Sequence, residues 1–283
     1  STSKKYVADC TYYLSYIRYT QQRYDDALTG FLSLQDNKKY KALAPYYIAE
    51  IYLIKKNYDK AEIVAQNYLS AYPNNEYTAE MYRVLGDADY HFGKYHEAMG
   101  AFEKYLANNQ EEAPRRDALY MLGLSYYHSG VYTKAANTLG EVATGNDALS
   151  QNAYLHMGLA YLQMGDKNKA RMAFEQASAS NANMQIKEQA AYNYALCIHE
   201  TSYSAFGESV TVFEKFLNEF PNSQYVDKVS SYLVEVYMNT RSYEAALKSI
   251  ERITHPGAAI LEAKQKILFH LGTQSFANTQ FQE

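Results

Sequence analysis

Apolar and polar residues along this chain recur with the period of an α-helix. In the stretch 81–106, MYRVLGDADYHFGKYHEAMGAFEKYL, apolar side chains recur three and four residues apart on both sides of a glycine. This spacing places them on one face of each of two helices, which a turn at Gly93 separates. The helix–turn–helix pattern returns over nearly the whole length, and no segment is assigned to a strand. The sequence therefore predicts an all-α protein.

A short phrase marks each helix pair: an aromatic residue followed three residues later by a small one. Successive copies begin 34 to 39 residues apart, a period typical of stacked repeat arrays. The clear copies are YDDA at Tyr24–Ala27, YDKA at Tyr58–Ala61, YHEA at Tyr95–Ala98, YTKA at Tyr132–Ala135 and YEAA at Tyr243–Ala246. Two degenerate copies, KNKA at Lys167–Ala170 and FGES at Phe206–Ser209, keep the same register.

Other positions repeat in step with this phrase. A glycine twelve residues before the small residue is expected to let two antiparallel helices approach closely, because a Cβ there would push them apart. A second glycine, five residues before it, is expected to end the first helix in a left-handed conformation. A large apolar residue follows the small one by four positions, and in two copies a later proline prevents the second helix from continuing. The first-helix glycines are Gly86, Gly123 and Gly158, and the turn glycines are Gly93, Gly130 and Gly165. The large apolar residues are Phe31, Phe102, Leu139, Phe174, Phe213 and Ile250, and the prolines are Pro73 and Pro221.

This combination of signals resembles the tetratricopeptide repeat (TPR) family, over essentially the whole chain. The resemblance implies a right-handed α-solenoid of about seven helix-turn-helix units plus the first helix of an eighth, arranged as a single array. The first copy departs from the family pattern at Arg18, and the sixth carries two extra residues in its turn. The predicted units lie near 5–38, 42–74, 79–110, 115–148, 151–182, 187–222 and 227–255, with a partial unit at 259–283.

The last residues, FQE, look like the start of an eighth phrase. Phe281 follows Tyr243 by 38 residues, and Gly272 lies nine residues before Phe281, in register with the other first-helix glycines. We expect this chain to be a piece of a longer array, because a natural end would carry a polar capping helix. The alternative is a seven-repeat protein with a frayed tail.

Composition narrows the function classes. The chain has 283 residues, a net charge of −4, 47% hydrophobic residues, 31 tyrosines and no tryptophan. The absence of a Lys/Arg block argues against nucleic-acid binding, and the absence of a long apolar run argues against a membrane-spanning segment. The two cysteines have no metal-site spacing, and no catalytic or phosphate-binding motif occurs. We therefore predict a protein that is not an enzyme and that needs neither cofactor nor metal.

In such arrays the first helix of each pair lines the concave face. The unit register places there an aromatic and mildly acidic set of side chains, and large, rigid tyrosines suit contact with a peptide. We expect this groove to bind a protein or an extended or helical peptide, which could carry Lys or Arg; the competing interpretation is that individual tyrosines are structural. The predicted contact residues are Tyr12, Tyr16, Tyr19, Tyr46, Glu50, Arg83, Asp87, Tyr90, Tyr120, Tyr127 and Tyr192.

Two more specific sites are not favoured. Chaperone-adaptor members of the family hold a peptide carboxylate in a Lys/Asn clamp, and the matching positions here are mostly Tyr, Glu or Leu.

Asp87 and His91 have a spacing that can place two ligands on one ion, and His128 occupies the matching position of the next unit. Neighbouring helices pack about 8–10 Å apart, too far for the two imidazoles to share an ion easily.

Three functions therefore stand side by side: a non-enzymatic scaffold that binds a protein partner, capture of a glycan or small ligand by the tyrosine-rich surface, and an architectural spacer. The scaffold leads because the aromatic groove follows the repeat register. Irregular copies with long linkers look similar to those of bacterial envelope TPR proteins, which favours the periplasm or outer membrane. The two unpaired cysteines fit a reducing compartment instead.

Overall fold

The computed structural model describes residues 2–109, 112–203 and 205–280, and every regular element in these ranges is helical. The predicted all-α class is confirmed. The chain divides into two compact units, Ser1–Val142 and Ala143–Glu283. That all the helix pairs form one array stays a prediction, and Phe281, where the eighth phrase would begin, lies outside the described residues.

The first unit contains four helix pairs. The second helix of each pair begins at the aromatic residue of the repeat phrase, so the phrase marks the turn between the two helices. The helices are α1 Thr2–Thr20, α2 Tyr24–Leu32, α3 Ala44–Ile54, α4 Tyr58–Ala71, α5 Thr78–His91, α6 Tyr95–Asn108, α7 Arg116–His128 and α8 Tyr132–Val142.

The second unit contains three pairs and one further first helix. A π-helical turn, Ala205–Ser209, precedes the second helix of its middle pair, at the two extra residues where the sequence predicts irregular packing. Among the described residues this makes the seven pairs and one extra helix that the repeat register predicts. The helices are α9 Ala148–Gln163, α10 Lys167–Ala179, α11 Met184–Thr201, α12 Val210–Glu219, α13 Val226–Met238, α14 Tyr243–Arg252 and α15 Ala258–Gln280.

The first-helix glycines mark points of close helix contact. A Cβ built on Gly123 would lie 2.5 Å from Leu139 Cδ2, and one on Gly158 would lie 2.5 Å from Phe174 Cε1. Leu139 and Phe174 are the large apolar residues of the same units, and both are fully buried. The predicted close approach is confirmed, because the glycine of one helix accommodates the large side chain of the next.

The turn glycines are also confirmed, since Gly93, Gly130 and Gly165 have φ of +72°, +77° and +76°. The first two helix pairs lack a glycine at this position. Gln22 and Lys56 take the same left-handed conformation there, with φ of 62° and 59°. The turn geometry is thus common to five pairs even though its sequence signal is present in three.

The core repeats with the register. The small residues of the seven phrases are completely buried, and so are five of the six large apolar residues four positions later, with Ile250 3% exposed. The predicted role of proline agrees with the helix ends, because α4 stops at Ala71 before Pro73 and α12 stops at Glu219 before Pro221. No helix among the described residues is both long and apolar enough to cross a membrane.

Candidate partner-binding face

A cluster of tyrosines covers the first helices of the first unit, and we call Tyr12, Tyr16, Tyr46, Tyr47 and Tyr77 the tyrosine face. Tyr12 and Tyr16 come from α1, Tyr46 and Tyr47 from α3, and Tyr77 directly precedes α5. All five remain at least partly exposed, and Tyr16 has 42% of its surface accessible. The face is therefore available for contact, unlike the core aromatics beneath it.

Stacked tyrosine pairs join α1 and α3 to the entrance of the next helix pair. Tyr12 stacks on Tyr40 with ring centroids 4.8 Å apart, and Tyr46 stacks on Tyr77 at 5.9 Å. A turn closed by Asn75 sets the second pair, since the backbone N–H of Tyr77 donates to Asn75 Oδ1 at 2.9 Å. Because stacking at these distances contributes about 0.5–1.5 kcal/mol beyond burial, the pairs fix the orientation of the partly exposed rings of Tyr12, Tyr46 and Tyr77.

Tyr47 lies at the centre of the face. Its ring stacks on the buried Phe31 at 4.7 Å and takes edge contacts from Tyr16 at 6.0 Å and Tyr19 at 5.3 Å. Burial, followed by a hydrogen bond with Tyr12, raises the pKa of its hydroxyl. The ring therefore anchors the face to the core, and the hydroxyl stays protonated near neutral pH.

An open cavity of about 910 Å³ lies against this face. Four of the five face tyrosines line it, Tyr16 being the exception, and three carboxylates, those of Glu76, Glu80 and Glu112, line it too. Its volume falls within the range of ligand pockets, about 300–1,000 Å³. We call it the tyrosine–glutamate cavity. Its full lining is Tyr12, Leu43, Tyr46, Tyr47, Glu76, Tyr77, Ala79, Glu80, Ala107, Asn108, Asn109 and Glu112.

Arg83 lies beneath this surface and is not a groove contact. Only 2% of it is exposed, its Nη2 donates to Glu50, and its Nε donates to Glu80 at 2.8 Å. Burial, and next the charge of Arg115, lowers the pKa of Arg83, but a guanidinium keeps its proton in proteins. Glu50 is also buried, so the sequence prediction that these two side chains face a partner is wrong. They join α3 to α5 instead.

The charge around the cavity is nevertheless negative. Three carboxylates line it, and no Lys or Arg side chain of the described residues does. Burial raises the pKa of Glu80 while Arg115 opposes that shift, and burial likewise raises the pKa of Asp87.

Three of the predicted contact tyrosines have a structural role within their own units. Tyr19, Tyr90 and Tyr127 each make an edge contact with the aromatic residue that starts the following helix, at 5.9, 5.9 and 5.8 Å. Burial, followed by the neighbouring Tyr120, raises the pKa of Tyr90 to about 12. These side chains brace the turn between helices, in agreement with the competing structural interpretation of individual tyrosines. Tyr120 is half-buried on α7 and does not line the cavity.

Asp87 and His91, the two residues with metal-ligand spacing, contact each other. His91 Nδ1 lies 2.9 Å from Asp87 Oδ1, and the His91 ring stacks on Tyr58 at 4.2 Å. In the next unit His128 stacks on Tyr95, also at 4.2 Å. Each histidine therefore packs on the aromatic residue of the preceding unit. Within the described ranges, no group of three or more His, Cys, Asp or Glu side chains is placed to hold a metal ion.

Tyr192, the predicted contact in the second unit, is 9% exposed and stacks on Tyr225 at 4.0 Å. Tyr225 directly precedes α13, as Tyr40 and Tyr77 stand near the starts of α3 and α5. The stacked pair is thus a third copy of the same joint. Because Tyr192 is buried in it, the prediction that its ring faces a partner is wrong.

Sequence reasoning missed Tyr47, Tyr77, Glu76 and Glu112. Tyr47 occupies a core position of the unit, and the others lie in linkers outside the unit pattern. A signal for the stacked pairs does exist: a tyrosine recurs 21 residues before the small residue at Tyr40, Tyr77 and Tyr225. Together with the tyrosine of the preceding first helix, this recurring tyrosine predicts the stacked pair.

Comparison with known families supports the repeat assignment. The tetratricopeptide repeat family model matches residues 12–76. A second family model, that of anaphase-promoting complex, cyclosome, subunit 3, matches residues 91–177. A search of curated protein sequences finds no match.

Solved structures of bacterial repeat proteins share the fold. The C-terminal part of a TPR repeat-containing protein from Cytophaga hutchinsonii is 15% identical, with a TM-score of 0.59 over 89% of this chain and 98% of that one. YrrB, described as a TPR protein with an unusual peptide-binding site, is 16% identical, with a TM-score of 0.53 over 64% of this chain and 90% of its own. A tetratricopeptide repeat protein from Parabacteroides merdae is 14% identical, with a TM-score of 0.50 over 92% and 98%. From its repeat register, its helix pairs and these likenesses, the chain has the tetratricopeptide repeat fold, and its residues 12–76 match the model of that family.

Proposed function

We propose that the chain is a non-enzymatic scaffold that binds a segment of a partner protein on the tyrosine face of its first unit. The observation that carries this proposal is the cavity of about 910 Å³ between α1, α3 and the entrance of α5, in which exposed tyrosine rings are already fixed by stacking. Preorganised aromatic rings lose little conformational freedom on binding, which is why tyrosine is common in binding surfaces.

Two further points support a polypeptide partner. The first helices α3, α5 and α7 pack side by side, so their exposed faces adjoin one another and suit an extended chain. The neighbour YrrB has a peptide-binding site by its description, in the same fold. Scaffold function through protein contacts is also what the repeat family is generally used for.

The first experiment selects ligands without assuming their identity. Displayed random peptides are selected on the intact chain, and the best one is labelled and titrated by fluorescence anisotropy. Tyr16→Ala combined with Tyr46→Ala removes two rings of the tyrosine face, one from α1 and one from α3. We expect affinity to fall at least tenfold, since buried tyrosine contacts each contribute on the order of 1–2 kcal/mol to binding.

The matched control is Tyr203→Ala, which removes a fully exposed ring from the second unit. It should leave the affinity unchanged. Circular dichroism checks that each variant keeps its helix content. If the double variant folds normally and binds the selected peptide as tightly as the parent chain, the tyrosine face is not the binding site.

A further inference from the structure

The three stacked tyrosine joints differ in the residue that precedes the second ring. At the first joint it is Lys39, at the second Glu76 and at the third Gln224. The local geometry is shared, since each second tyrosine stacks on the first helix of the preceding unit. The charge beside the ring pair is therefore different at each joint.

At the first joint the chain supplies its own cation. Lys39 Nζ lies 5.3 Å from the centroid of the Tyr40 ring and 2.9 Å from Asp9 Oδ1. The hydroxyl of Tyr40 also donates to Asp9. The ammonium is thus held by an aromatic face and a carboxylate together, the arrangement that recognises cations in proteins.

At the second joint the tyrosines and carboxylates are present without a lysine. Tyr46 and Tyr77 form the stacked pair, and Glu76, Glu80 and Glu112 line the adjoining cavity. In the described parts of the chain, no Lys or Arg forms an ion pair with Glu76 or Glu112. Of the three cavity carboxylates, Glu80 is paired with Arg83, which Glu50 also binds, and Arg115 pairs with Asp117 at 2.8 Å.

We propose that the tyrosine–glutamate cavity accepts a Lys or Arg side chain of the partner segment, at the place equivalent to that of Lys39 in the first joint. The inference rests on the proposed function, of which it specifies the ligand chemistry. Charge complementarity favours it: among the described residues, three carboxylates and no Lys or Arg side chain line the cavity, and a cavity lined by one sign of charge concentrates counter-ions. A cation over a tyrosine ring adds an attraction that a neutral or anionic side chain does not receive.

The test uses three fragments of equal chain length and different charge: n-butylammonium, n-butanol and n-butyrate. Each is titrated into the intact chain with isotope-labelled tyrosines, and the ring signals of Tyr46 and Tyr77 are followed by NMR after assignment by single Tyr→Phe variants. We expect n-butylammonium to shift these signals with at least threefold higher affinity than n-butanol. Butyrate should leave them unchanged.

Charge variants identify the carboxylates. Glu76→Gln with Glu112→Gln should weaken the binding of n-butylammonium at least threefold. The control, Glu97→Gln with Glu141→Gln, removes two exposed charges from the second helices α6 and α8 and should leave this binding unchanged. Raising NaCl from 50 to 500 mM should weaken binding as well, because the Debye length falls from roughly 14 to 4 Å. Equal affinity for n-butanol and n-butylammonium, or no effect of the first pair of substitutions, would overturn the inference.

The two proposals fail in different ways. If a selected peptide depends on Tyr16 and Tyr46 but n-butylammonium does not shift the ring signals of Tyr46 and Tyr77, the binding face stands and the cation site is wrong. If the fragment binds but replacing each Lys and Arg of the selected peptide by Gln leaves its affinity unchanged, the cavity takes a cation that this partner segment does not supply, and the inference is again wrong.

Discussion

Substituting Gly123 by alanine tests the close helix contact on which every helix pair depends. The new Cβ would lie 2.5 Å from Leu139 Cδ2, 2.6 Å from Leu139 Cγ and 3.4 Å from the Leu139 backbone nitrogen. A rotation of the leucine can move Cδ2, but Cγ and the backbone stay close, so α7 and α8 must separate. Such overpacking costs about 1–3 kcal/mol.

Helix propensity acts in the opposite direction, because alanine is about 1 kcal/mol better than glycine inside a helix. At Gly123 the clash exceeds this gain, and we expect a net loss of up to about 2 kcal/mol. Gly272 occupies the same register position in α15, but a Cβ there meets nothing within 4 Å. Gly272→Ala should therefore stabilise α15 by up to about 1 kcal/mol.

Hydrogen exchange of the intact chain measures both effects locally, which matters because repeat proteins do not always unfold in one step. Amides of α7 and α8 should exchange faster in Gly123→Ala, and those of α15 more slowly in Gly272→Ala. A double-mutant cycle with Leu139→Ala should abolish most of the penalty of Gly123→Ala. If Gly123→Ala slows exchange as Gly272→Ala does, the helices are not in the contact described.

Three further outcomes follow from buried charges and backbone conformation. Burial, followed by the carboxylate of Glu62, raises the pKa of Asp89 to about 6. The folded chain thus holds this proton more tightly than the unfolded chain, so the free energy of unfolding falls as the pH rises from about 4 through 6. Asp89→Asn should therefore stabilise the chain at pH 8 by up to about 3 kcal/mol and not at pH 4, as measured by urea unfolding at both pH values; equal effects would contradict this. Gly93→Ala should lower the melting temperature, because alanine at a φ of +72° costs about 1 kcal/mol or more, and an unchanged value would refute the left-handed turn. Arg83→Leu should destabilise by about 3–5 kcal/mol in urea because it leaves Glu50 buried without a cation, and adding Glu50→Leu should recover most of the loss; no recovery would contradict the pairing.

The helix pairs could be predicted from sequence because each signal acts locally. A glycine such as Gly93 ends its helix through its own backbone freedom, and Ala98 is buried because its register position faces the partner helix. Gln22 and Lys56 show the limit of this reasoning. They take the left-handed conformation without the residue that favours it, since the packing of the two helices they join imposes the turn.

The binding face could be predicted only in part. The register places Tyr12, Tyr16 and Tyr46 on first-helix surface that is at least partly exposed, because helix geometry alone decides which way they point. Arg83 is buried because it pairs with Glu50, which lies 33 residues away in the preceding helix pair. The sequence pattern of a single helix pair does not contain this partner. The linker residue Tyr77 was missed for the same reason, since its stacking partner lies in the preceding unit.

Hydrogen exchange of the intact chain with and without the best selected peptide tests the central claim most directly. The account predicts added protection in α1, in α3 and in the backbone around 76–80, and none in the second helices α2 and α4. Protection confined to those second helices, or to the second unit, would contradict it.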